Sequence, residues 1–361
     1  MRPPEPRSSH LFAALCLLAV LAGLAVGCAT APGRLHPRAL ELQAAGVEAL
    51  GRGELESAAG HFALALEYEP HLAEAQNGLG LVALRRGDTA RAEEDFRAAL
   101  ALNEDLAEAH LNLADLLMRR DADEAALGEA RAALAIDPGY ADARLLAGEL
   151  QLRLGRPSDA HWELEKLCAA YPHRADAHAA NALVLVRLGR PAAAEEQAEL
   201  ALSIDPDLAA AHRARAEILR RAGDFPEAMR QIDLAIAANP GSVPDRLTRA
   251  TILAAQGRWD DAARALAELV AAAPRQAEVR FAMAFVALGL EQPGAAVEDA
   301  DAALALRPHY PEARLVRAQA LLRLGHPSDA RRELERFLAE APPTMVAERA
   351  RAQQTLNSVP R

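Results

Sequence analysis

The chain has 361 residues, 51% hydrophobic but only 4% aromatic, with a formal net charge of −11. That acidic balance argues against a nucleic-acid partner, which requires a basic footprint. A chain rich in alanine and leucine and poor in aromatics points to a thin core made by close helix approach and spread along an array.

Residues 1–10 carry Arg2 and Arg7, and Leu11 to Val26 is an apolar run without a charge. The basic start, the short apolar core and the exit Leu24-Ala25-Val26-Gly27-Cys28 read as a secretory signal over residues 1–27. The run falls short of the roughly 20 residues that span a membrane. The exit resembles a bacterial lipobox, which implies cleavage before Cys28 and lipid, palmitate included, on its thiol. Ala25 stands where that motif usually has a larger aliphatic residue. A plain signal peptide or an uncleaved anchor, with Cys28 incidental, is the alternative. Among lipoproteins an aspartate after the cysteine favours the inner membrane; Ala29 stands there instead and implies the outer one. Losing Arg2, Glu5 and Arg7 with the signal leaves a net charge of −12. Residues 28–38, with Pro32, Gly33 and Pro37, read as the lipidated cysteine and a short tether. Ten residues reach at most about 35 Å, so the folded part would work close to the membrane surface.

From Ala39 to Thr344 one 34-residue phrase recurs nine times without a gap, in units starting at Ala39, Ala73, Ala107, Ala141, Ala175, Ala209, Val243, Ala277 and Pro311. The twentieth residue is alanine in every unit: Ala58, Ala92, Ala126, Ala160, Ala194, Ala228, Ala262, Ala296 and Ala330. The fifteenth is glycine except at Asp121 and Glu291, and the thirty-second is proline except at Glu104. A fixed period of this length signals a stacked array of helix–turn–helix units. Glycine closes the first helix in a left-handed conformation. Proline at Pro157, Pro191, Pro293 and Pro327 opens the second, where its missing N–H does no harm. The late proline ends the second helix. The invariant alanine marks a close helix crossing, with the small eighth residue (Gly46, Gly80, Ala114 and their equivalents) as its expected contact. After Pro342-Pro343, Thr344 is placed to cap a last helix from Met345 to about Leu356, with residues 345–361 forming a capping helix and tail.

These columns resemble the tetratricopeptide repeat family. The resemblance implies an all-α solenoid: a right-handed superhelix of nine helix–turn–helix repeats plus a C-terminal capping helix. The family's early tryptophan is absent, its slot holding Leu42, Gln76, His110, Arg144, His178, His212, Arg246, Arg280 and Arg314. The seventh residue, usually leucine in the family, is Arg215, Arg249 and Arg317 in three units.

Little in the chain points to catalysis. There are eight serines, no Gly-x-Ser-x-Gly, no phosphate loop and no Gly-x-Gly-x-x-Gly. His110, His178 and His212 share one column a whole repeat apart, a spacing that suits packing better than a metal. Asp121 to Glu124 lacks the glycine and closing glutamate of a calcium loop and reads as a solvated turn. Cys168 falls on an apolar slot and reads as a core residue. No enzyme activity, cofactor or metal is therefore expected.

Binding is expected in the groove lined by the first helices, at the second, fifth, ninth, twelfth and thirteenth residues of each unit. Arg119, Arg153, Arg187 and Arg221 form a row at helix ends, opposed by acids such as Asp142, Asp176 and Glu278 at helix starts. Two readings stand side by side: complementarity to the helix dipole, or an electrostatic edge that orients an acidic ligand. Between the stripes the groove is apolar. Phe281 and Phe285, one turn apart, with Leu288, Leu315 and Leu322, form a candidate anchor for a partner helix or strand, unless the aromatic pair packs on the next helix. The family's chaperone-binding members clamp a carboxylate with lysines; the chain's single lysine is Lys166, outside that face.

Together these features describe a lipid-anchored, periplasm-facing scaffold of the bacterial cell envelope that binds other envelope proteins. Assembly of a pilus, secretion or polysaccharide-export machine, or adapting of cell-wall enzymes, is the kind of work that lipoproteins of this design suggest. A small-ligand receptor and a self-assembling structural array are the alternatives.

Overall fold

The computed structural model describes residues 35–343 and 345–359. The signal, Cys28, the tether as far as residue 34, Thr344 and the last two residues lie outside them. Nineteen helices and no strand occur among the described residues: two per unit, and a last one at Val346–Ser358. First helices run 13 to 15 residues and second helices 14. The first helix starts at Pro37, two residues inside the expected tether, because the His36 ring accepts the Arg38 N–H and caps it. The last helix is preceded by Met345 and begins at Val346, one residue later than expected.

The turn column behaves uniformly. All nine fifteenth residues have positive φ, from +57° at Glu291 to +84° at Gly223, and no other described residue does. Asp121, at +58°, and Glu291 thus adopt the glycine conformation without being glycine. The four prolines two places on are each the first residue of their helix.

The nine alanines of the twentieth column are fully buried. Their expected contact needs correcting. The eighth residue abuts mainly the side chain at position twenty-four. A Cβ on Gly46 would meet the Phe62 ring at 2.6 Å, one on Gly148 would meet Leu164 at 2.6 Å, and one on Gly80 would meet Phe96 at 2.5 Å, with the Ala92 carbonyl behind at 3.3 Å. The twenty-fourth residues, from Phe62 and Phe96 to Ala300 and Leu334, are buried throughout. Volume is traded across this contact: the two phenylalanines face glycines, whereas Ala130, Ala198 and Ala300 share their core clusters with Ala114, Ala182 and Ala284. Such exchange keeps the interior at close-packed density.

A polar bridge occupies the slot of the missing tryptophan. The fourth residue reaches the twenty-third of the same unit in Gln76–Asp95 (2.8 Å), His110–Glu129 (2.6 Å), Arg144–Glu163 (2.7 Å), His178–Gln197 (2.8 Å), His212–Gln231 (2.8 Å) and Arg280–Asp299 (2.9 Å). The other end of the side chain often meets the preceding unit's turn, as in His178 to the Pro172 carbonyl at 3.1 Å and Arg144 to that of Pro138 at 2.6 Å. The histidine column therefore ties helices together. The seventh-position arginines do likewise: Arg249 pairs with Asp233 at 3.0 Å and Arg215 with Glu195 at 3.3 Å, both carboxylates belonging to the preceding unit. The last helix covers the open end of unit nine, Ala352 packing into the cluster of Ala318, Leu334 and Phe337, while Arg349 donates to the Leu338 and Ala341 carbonyls.

Candidate functional site

The array coils far enough to meet itself. Where unit three turns, Asp121 and Asp123 face Arg153 of unit four and, across the coil, Glu278 and Arg307 of unit eight. Arg153 donates to Asp121 at 2.7 Å and to Asp123 at 2.9 Å, and lies 3.6 Å from Glu278. Arg307 donates to Glu278 at 2.5 Å and to Asp121 at 3.3 Å. A Cβ on Gly155 would touch Pro342 at 3.4 Å, so the turn of unit four also rests on the end of unit nine. This clasp is mostly buried: its aspartates expose 7% and 6% of their side chains, its arginines 15% and 28%. Burial raises the Glu278 carboxyl, but Arg307 and Arg153 outweigh it and hold it below its ordinary value. At Asp123 burial prevails over Arg153, and the carboxyl is raised.

Inside the clasp lies a cavity of about 1200 Å³, more than the roughly 300–1,000 Å³ of a small-molecule cleft. Its wall is formed by the first helices of units four to seven. Glu149, Leu152 and Arg153, then Asp176, Leu183, Val186 and Arg187, then Ala210, Arg213 and Glu217, then Pro244 and Leu247 face it. These are second, fifth, ninth, twelfth and thirteenth positions, since those residues lie on one face of a helix. Tyr310 and the Pro342-Pro343 pair close the far side. Water reaches Glu149, but the surrounding walls raise its carboxyl against the pull of Arg213 and Arg153.

The residues singled out in the sequence separate into groups. Arg153 and Arg187 line the cavity; Arg119, Arg221, Phe281, Phe285, Leu288, Leu315 and Leu322 do not. The arginine row is largely engaged within the fold. Arg221 donates to the Val186 carbonyl at 3.1 Å and Arg323 to that of Leu288 at 2.6 Å, each capping the end of the preceding first helix, and Arg119 pairs with Asp115 at 2.7 Å. At Arg221 and Arg323 the cation thus sits on helix-end carbonyls, as complementarity to the helix dipole requires. The two phenylalanines differ. Phe281 is half-buried against Tyr310, ring centroids 5.1 Å apart, in the contact between units eight and nine. Phe285 is exposed, 6.0 Å from the Trp259 ring. Leu288 is buried, and Leu315 and Leu322 half-buried.

The clasp escapes sequence reasoning, except that Asp121 breaks the glycine column. The Asp121–Glu124 turn is therefore not a solvated one: Asp121 and Asp123 are nearly buried. Among the described residues no group of three or more histidine, cysteine or carboxylate side chains is arranged to hold a metal, and no helix is long and apolar enough to cross a membrane. Cys168 is half-buried beside Leu164 and Leu167, and burial pushes its thiol up to about 11.

Comparison with known proteins agrees with this architecture. Similar solved structures include a tetratricopeptide repeat protein from Parabacteroides merdae, at 15% identity over 79% of this chain and 97% of that one, with a TM-score of 0.49. TTC0263, a thermophilic protein of the same repeat from Thermus thermophilus, shows 23% identity over 49% and 95%, with a TM-score of 0.46. PilF of Pseudomonas aeruginosa shows 24% over 58% and 96%, with a TM-score of 0.42. No curated protein matches the chain in sequence. Two family models, both described as tetratricopeptide repeat, match residues 44–107, 81–141, 145–209 and 179–243, and residues 219–285 and 287–353. The matches run through almost all of the array, and the chain belongs to the tetratricopeptide repeat family of protein-interaction scaffolds.

Proposed function

We propose that this scaffold is a lipid-anchored adaptor of the bacterial cell envelope that holds an extended segment of a partner protein in its clasped channel. The observation that carries the reading is the cavity itself: too large for a typical small ligand, walled by four successive first helices, and apolar at Leu152, Leu183, Val186 and Leu247. A segment running along the coil would meet one helix after another, which suits an extended polypeptide better than a compact molecule.

The anchor rests on Leu24-Ala25-Val26-Gly27-Cys28 and the apolar run before it. Two or three acyl chains would hold the protein firmly, at about 0.8 kcal/mol per buried CH₂. Ala29 favours the outer membrane, and the partners would then be envelope proteins of an assembly, export or cell-wall machine.

Cross-linking and gentle affinity purification from the native membrane test both parts. A stoichiometric envelope protein should be recovered with the wild type and lost with Leu183→Asp, while Cys28→Ala should release the protein from the membrane and abolish lipid labelling. Undiminished recovery with Leu183→Asp would remove the channel from the account; lipid on another residue would remove the anchor.

A further inference from the structure

The channel's charges do not balance. Three of its nine carboxylates, Asp176, Glu217 and Glu340, pair with arginines that do not line it, and the wall itself presents five arginines. Four of those arginines are committed: Arg153 and Arg307 to the clasp, Arg156 to Glu124 at 2.6 Å, and Arg213 to the buried Asp245 at 2.9 Å. Glu149, by contrast, makes no hydrogen bond or ion pair among the described residues. It projects from Ala141–Arg153, the first helix of unit four, with Leu152 one turn further along. Leu183 holds the same position one repeat later. The enclosing walls already disfavour its charge, so a cation brought to it would be strengthened by the same enclosure.

Neighbouring helices pack roughly 8–10 Å apart, and an extended chain advances about 3.3 Å per residue. A segment lying along the channel therefore brings every third residue to the next helix. We infer that the channel selects an extended segment carrying an arginine or lysine with an apolar residue three positions away, the cation seated on Glu149 and the apolar side chain on Leu183. This deepens the channel reading above and rests on it. Arg187 also lacks an ion pair among the described residues, yet it shares the wall with two carboxylates that lack one, Glu149 and Glu312, which leaves an acidic segment disfavoured.

The test uses the full-length protein in detergent and fluorescein-labelled nonapeptides read by fluorescence anisotropy. One peptide has a central arginine with leucines three positions to either side. A second has glutamate in place of the arginine, and a third has glutamine. The arginine peptide should bind about tenfold tighter than the glutamine peptide, and the glutamate peptide weaker than both. Glu149→Gln, checked by circular dichroism for intact helicity, should remove the arginine advantage and leave the glutamine peptide unchanged. Tighter binding of the glutamate peptide, or an arginine advantage that survives Glu149→Gln, overturns the inference. The two readings fail separately. If Leu183→Asp abolishes capture of the native partner while the peptides show no charge preference, the channel stands and its basic selectivity falls. If that variant captures the partner normally, the channel falls as well.

Discussion

Arg307 donates to Asp121 at 3.3 Å although 186 residues of chain separate the two. In a stacked array most contacts join neighbouring repeats, and stability is close to a sum of local terms. This ion pair, with Arg153 and Glu278, converts an open coil into a closed one. Its groups are mostly buried, so removing one partner leaves the others poorly solvated. Arg307→Gln should cost about 1–3 kcal/mol, on the scale of losing hydrogen bonds to charged groups. The helices of each unit should remain, since their packing does not depend on the clasp. X-ray scattering of the soluble protein should show a larger radius of gyration with unchanged helical circular dichroism. An unchanged scattering profile would mean that the clasp does not hold the coil closed.

The two exceptions to the glycine column separate strain from use. Asp121 and Glu291 share φ near +58°, a conformation that disfavours ordinary side chains by roughly 1–2 kcal/mol and aspartate by less. Asp121 gains two arginines there. Glu291 gains no hydrogen bond or ion pair from its side chain among the described residues. Glu291→Gly should therefore stabilise the protein by about 1 kcal/mol, and Asp121→Gly should destabilise it and loosen the coil despite the relieved backbone. Urea unfolding of the two variants decides the matter; equal shifts of the same sign would show that the carboxylate of Asp121 adds nothing.

Acid should open the clasp through Glu278. Its folded-state value is below the ordinary one, so its stabilising contribution is present above the unfolded value of about 4.3 and disappears as pH falls through the lower folded value. Asp123 works in the opposite sense: its carboxyl is raised, so its contribution favours the folded state at low pH and is lost as pH rises. A proton on Asp123 alone should leave the coil closed, because Glu278 still holds Arg307 and Arg153. Scattering measured against pH should show expansion only below about pH 4, and Glu278→Gln should be expanded at neutral pH. Expansion that begins above pH 5 would assign the control to another group.

Sequence alone revealed the array because its signals are local. The turn glycine, the helix-opening proline and the buried alanine each act within one unit, and nine copies make each column visible. The clasp stayed hidden for the opposite reason. Arg307 occupies a position with no column of its own, and its partners Asp121 and Asp123 lie five units away, so nothing in the period marks it. The arginine row was legible as a stripe but not as caps, because the accepting carbonyls of Val186 and Leu288 carry no sequence signature. Phe281 and Phe285 looked alike for being one turn apart. What separates them is Tyr310, the last residue of the same unit, which covers Phe281 alone.

The glycines outside the turns give the sharpest check on the packing. Phe62 is fully buried, its ring flanked by Gly46 of the same unit and Gly78 of the next. A Cβ on Gly78 would come within 2.5 Å of the ring, which has no free space to retreat into. Gly78→Ala should therefore cost about 1–3 kcal/mol by overpacking, even though alanine is the better helix former. Gly60 lies inside the helix Leu55–Tyr68, exposed and with nothing within 4 Å of a Cβ. Gly60→Ala meets no obstacle and should gain about 0.5–1 kcal/mol from the reduced backbone freedom of the unfolded chain. The two substitutions are the same in chemistry and opposite in expected sign. Urea midpoints measured side by side separate them: a stabilising Gly78→Ala would mean that unit two stands further from Phe62 than the stacked geometry requires.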